Sequence, residues 1–125
     1  MRTFAMTSIA ICLSASVAYA DCSQLEAQHG TTLEALLDTE HYIAMNERAV
    51  THMQKRRMTA SVIILADDVR HRVHKSIAQR EALIKILEEG FKEKCISEVT
   101  ETGLEYRSRI KRYGKINENL RKAYP

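Results

Sequence analysis

A single proline in 125 residues, accompanied by only four glycines, constrains the fold of this chain more than any other feature. Sandwiches and barrels need turn residues every few positions, so the scarcity argues against an all-β sandwich or barrel. Hydrophobic residues make up 45% of the chain, too many for intrinsic disorder. Three cysteines are too few for a disulfide-framework miniprotein. What remains is one all-α domain preceded by a targeting segment.

Residues 1–20 read as a cleaved secretory signal peptide rather than as part of the fold. Arg2 supplies a positive start, Phe4 to Val17 is mostly apolar, and Ala18-Tyr19-Ala20 forms a small-x-small cleavage site before polar Asp21. The apolar stretch is short and diluted by Thr7, Ser8, Ser14 and Ser16, which argues against a retained anchor of about 20 apolar residues. Cleavage at Ala20 leaves a helical domain of residues 21–125 in a periplasmic or secreted location. Cys12 departs with the signal. Cys22 and Cys95 remain, and an even pair in an oxidising compartment predicts a Cys22–Cys95 disulfide.

Thr31-Thr32 offers an N-cap ahead of Leu33, and Leu33, Leu36, Leu37, Ile43, Ala44, Val50 and Met58 recur at helical spacing. The first helix is therefore expected from about Ser23 or Thr32 to Arg57, with Thr59-Ala60-Ser61 as the break. Val62, Ala66, Val69, Val73, Ile77, Ile84, Leu87, Phe91 and Cys95 line a second helix of roughly 35 residues, ~50 Å long. A third helix is expected over Leu104 to Ala123. Ile96, Val99, Gly103, Tyr106, Ile110, Tyr113, Asn117, Leu120 and Tyr124 alternate steps of three and four, the pattern of a coiled-coil seam. A hairpin about Ala60 brings Cys22 within one turn of Cys95 and sets Glu40 opposite Arg80. The prediction is an elongated antiparallel three-helix bundle. It consists of a long helical hairpin plus a C-terminal helix, stapled at the open end by the disulfide and registered by a Glu40–Arg80 ion pair.

The charges come in blocks. Asp21 to Glu47 holds six acidic residues and no Lys or Arg; Arg48 to Arg80 holds eight basic and two acidic ones. Glu81 to Glu105 holds seven acidic and three basic residues; Tyr106 to Pro125 holds seven basic and one acidic. Laid on the hairpin, these blocks predict a rod that is acidic at the disulfide end and basic at the tip. Lys55, Arg56, Arg57 and Met58 are the expected partner-binding residues, with Arg107, Arg109, Lys111 and Arg112 in support. Four consecutive apolar residues, Val62 to Leu65, cannot all face inward on one helix. The expected role is an exported, periplasmic interaction module, such as an accessory subunit of an envelope or secretion assembly. It would bind an acidic envelope protein or an anionic membrane surface.

Two other classes stay open. Asp67, His71 and His74 share a helical face and could hold Zn²⁺ or Cu²⁺, which would make a periplasmic metal sensor or carrier. The Tyr106–Tyr124 seam could instead join two copies as a homodimeric coiled coil. Tyrosines among cations would suit single-stranded nucleic acid in a cytosolic protein, but export argues against nucleic acid as a partner. No phosphate loop, nucleophile elbow or Cys-x-x-Cys motif is present, so no enzymatic activity and no cofactor is expected.

Overall fold

A computed structural model describes the backbone of residues 2–125 and the side chains of residues 22–125. The side chains of the expected signal segment lie outside the described residues. The described chain is three helices: α1 (Arg2–Lys55), α2 (Thr59–Lys92) and α3 (Glu101–Ala123). α1 and α2 form an antiparallel hairpin, joined at its open end by the Cys22–Cys95 disulfide with 5.5 Å between Cα atoms. α3 runs back from that end along α2.

Both hairpin helices end the same way. Met58 N–H donates to the Met53 carbonyl (3.0 Å) and Arg57 N–H to that of Gln54 (3.1 Å), closing α1 with a Schellman pattern. Cys95 N–H donates to the Gly90 carbonyl (2.9 Å) and Lys94 N–H to that of Phe91 (3.2 Å), closing α2 likewise. The left-handed residue, commonly glycine, is basic in both cases: Arg57 has φ 58° and Lys94 φ 60°. A cation there lies beside the carbonyl-rich end of its helix, which offsets part of the backbone cost. The second motif also delivers Cys95 to its partner. α3 starts on a conventional cap, with Thr100 Oγ1 accepting from Gly103 N–H at 3.0 Å.

The core is a thin seam along the hairpin. Val69, Val73 and Ile77 of α2 pack with Ile43 and Val50 of α1 and with Leu120 and Tyr124 of α3. Leu36, Leu83 and Leu87 continue it toward the disulfide, each at most 2% exposed and each contributing about 2 kcal/mol by burial. Among the described residues, the backbone of α3 packs on α2 and not on α1. It reaches α1 through side chains, at a Tyr106–His29 edge contact (centroids 5.9 Å) and a Tyr124–Glu47 hydrogen bond.

Three local expectations change. α2 starts at Thr59, so the connection is only residues 56–58 and the Thr59–Ser61 stretch is already helical. α1 runs through both expected starts, Ser23 and Thr32, and is not interrupted at Gly30 between them. The seam holds from Gly103 to Tyr124, which faces α2, but Val99 is 92% exposed because the chain around it is a loop. Asn117 lies inside the seam at 5% exposure.

Candidate interaction surface

The end of α3 defines where the hairpin becomes uncovered. Arg70 donates from Nη2 to the Pro125 carbonyl at 3.0 Å, and Tyr124 OH donates to Glu47 Oε1 at 3.0 Å. Beyond that level only two helices remain. From Glu47 to Lys55 the overhang is about 12 Å. Residues 48–66 carry Arg48, Lys55, Arg56 and Arg57 and no acidic residue.

Lys55, Arg56, Arg57 and Met58 are all exposed at this tip, as the hairpin topology predicts. Apolar surface is exposed beside them: Met58 is 45% exposed, Ile63 64% and Ile64 73%. Val62 and Leu65 are half-buried. The four-residue apolar run is therefore divided between the covered side of the helix and solvent, as a 3.6-residue period demands.

The supporting cations are elsewhere. Arg107 pairs with Glu98 and stands 4.5 Å from the Phe91 ring centroid. Arg109 donates to Glu105 at 2.6 Å and stands 5.2 Å from the Tyr106 centroid. Tyr106 itself touches His29, which lies about 40 Å up the rod from Lys55. Lys111 and Arg112 are exposed on the next turn of α3. Arg107 and Arg109 thus belong to the acidic end, where they neutralise carboxylates. The tip charge rests on Lys55, Arg56 and Arg57, with Arg48 behind them.

The metal-spaced trio does not converge. His71 Nε2 lies 3.4 Å from Asp67 Oδ2, both on exposed surface. His74 instead lines a cleft with Ile77, Glu81, Arg121 and Pro125 at the end of α3. Among the described residues, no three His, Cys, Asp or Glu side chains are grouped to hold a metal ion. Nor does any helix there reach the length and apolarity needed to cross a membrane.

The expected Glu40–Arg80 pair is present, and Arg80 Nη1 also donates to Ser76 Oγ at 2.8 Å. This cluster borders a cleft of about 150 Å³ that Glu47 and Tyr124 complete. The Glu47 carboxylate accepts the Tyr124 hydroxyl and, together with burial, raises that hydroxyl above its ordinary pKa.

Two features carry no sequence motif. A pocket of about 260 Å³ opens beside the disulfide, lined by Leu25, His29, Ile86, Ile96 and Tyr106. Burial, with the Arg109 charge second, lowers the pKa of His29 there. The other feature is an apolar pair at the disulfide end, Val99 (92% exposed) and Leu104 (62%). In the sequence Val99 falls between the second and third helices and Leu104 at the expected start of the third. Compared with models of known protein families, with curated protein sequences and with solved structures, the chain matches none.

Proposed function

We propose that this protein is an exported helical interaction module, a binding rod rather than a catalyst, and that it captures an acidic envelope surface through its tip. The observation that carries the reading is the uncovered end of the hairpin. There, among the described residues, Lys55, Arg56 and Arg57 stand outside every ion pair beside exposed Met58, Ile63 and Ile64. Charge draws an anionic partner in over about a Debye length of 10 Å, and the apolar side chains add a short-range, salt-insensitive contribution on contact. The rest of the molecule suits a spacer. The hairpin is registered by Glu40–Arg80 and closed covalently by Cys22–Cys95, so it holds the tip at a fixed distance from the other end.

The test is a photo-crosslinking residue at Ile64 in cells that export the protein, with the same residue at Lys111 as the mid-rod control. An envelope adduct specific to position 64, lost when Lys55, Arg56 and Arg57 are replaced by Glu, is the expected result. Adducts that form equally from both positions, or that survive the charge reversal, would reject the tip as the docking surface.

A further inference from the structure

We infer that the basic tip of one copy docks on the disulfide end of a second copy, so that the rods join head to tail. This rests on reading the tip as a docking surface and names one partner for it.

The two ends complement each other in charge. The tip carries Arg48, Lys55, Arg56 and Arg57 with no acidic residue between positions 48 and 66. At the other end Glu26, Glu88, Glu89, Glu93 and Glu101 are exposed and, among the described residues, stand outside every ion pair. Lys92 and Lys94 lie among them and reduce the excess without reversing it. Glu98 and Glu105 are already held by Arg107 and Arg109, so they take no part.

The two ends also match in apolar surface. Met58, Ile63 and Ile64 are uncovered at the tip, while Val99 and Leu104 are uncovered at the disulfide end. Charge alone would suit any anionic surface. Val99 and Leu104 lie either side of exposed Glu101 in the chain, and this apolar surface at the carboxylate-rich end is what makes the far end of another copy the fitting partner.

Symmetry then dictates the geometry. A tip-to-tip contact would oppose like charges, as would a contact between two disulfide ends. An end-on contact is then heterologous and propagates into rows unless the rotation closes a ring, whereas two rods lying antiparallel side by side would satisfy both ends at once and stop at the dimer. The area at the end of a two-helix hairpin is far below the roughly 1,600 Å² of a standard interface, so assembly is weak and rises with concentration. It requires the disulfide end to be free, which the expected cleavage before Asp21 provides.

Sedimentation velocity on protein recovered from the compartment to which cells export it tests this directly. The mean mass is expected to rise with concentration at low salt and to return to monomer at high salt. A tip-blocked variant (Lys55→Gln, Arg56→Gln, Arg57→Gln) and an end-blocked variant (Val99→Ser, Leu104→Ser) should each stay monomeric alone. Mixed in equal amounts they should form a dimer and nothing larger, because each supplies one intact end. All five substitutions are at exposed positions, and circular dichroism with the helix content of the parent will confirm that both variants fold.

A monomer at every concentration would overturn the inference, as would an end-blocked variant that still assembles. So would tip capture by phosphatidylglycerol vesicles with no self-association, which would make lipid the partner. The outcomes separate the two readings. An Ile64 envelope adduct retained by the end-blocked variant supports tip docking even where self-assembly fails.

Discussion

Arg80 on α2 donates to the carboxylate of Glu40 on α1 while only 7% of the arginine is exposed. Its second amino group is held by Ser76, one turn away on the same helix. A slide of either hairpin helix by one turn would leave this guanidinium buried without its carboxylate. The pair therefore penalises wrong registers more than it stabilises the right one.

Glu40→Gln should cost about 2 kcal/mol, since it strands a buried cation beside a half-exposed neutral partner. Replacing both residues together, Glu40→Leu with Arg80→Met, should recover most of that loss. Urea unfolding midpoints of the three variants and the parent provide the check. A double variant as unstable as the single one would show that the pair contributes net stability.

Cys22→Ser with Cys95→Ser should lower stability by about 4 kcal/mol, because the disulfide spans a sequence separation of 73 residues. The loss should be accompanied by faster amide exchange in the first turns of α3, which depend on the closed end for their contacts with His29. Exchange that rises evenly along the rod would contradict this local origin.

Gly103 and Gly114 should respond to alanine in opposite directions. A Cβ at Gly103 would come within 1.7 Å of the Ser97 carbonyl oxygen, a backbone atom that cannot move aside. Gly103→Ala should therefore cost about 3 kcal/mol. A Cβ at Gly114 meets nothing within 4 Å, and Gly114→Ala should stabilise α3 by about 0.7 kcal/mol through helix propensity. Thermal denaturation of both variants distinguishes the two signs.

Acid should weaken the fold through His29. Burial, with the Arg109 charge second, holds its folded pKa below the ordinary histidine value of about 6.5, so the unfolded chain binds the proton more readily. The associated stability is complete above the unfolded pKa and is lost as pH falls from about 6.5 through the lower folded value. His29→Gln should flatten this limb between about pH 7 and pH 5 in urea titrations. A limb of unchanged slope would assign it to other groups.

Much of the fold was legible because its determinants are periodic or paired. The seam residues from Gly103 to Tyr124, the Cys22–Cys95 bond and the Glu40–Arg80 contact all follow from helical spacing plus one hairpin. The turn was misplaced because Arg57 adopts a left-handed conformation, which sequence assigns first to glycine. Val99 continued the heptad arithmetic into a loop, where spacing has no meaning. The surface was legible only in part. Charge blocks located Lys55–Arg57 at the tip, but averaging over Tyr106 to Pro125 hid that Arg107 and Arg109, at the start of α3, pair with Glu98 and Glu105. Neither the His29 pocket nor the Val99–Leu104 patch is periodic. Both arise where three elements meet at the closed end.

The bond between Cys22 and Cys95 encloses the whole turn at Arg56–Met58 within a covalent ring, while α3 hangs outside it. The exposed Lys55-Arg56-Arg57 run is a natural target for trypsin-like proteases. A molecule nicked there keeps its integrity, because both helices of the hairpin remain one covalent body until the disulfide is reduced. On a non-reducing gel the cut and uncut forms should migrate together. The most vulnerable point of the rod is thus one whose scission the protein survives in a single piece.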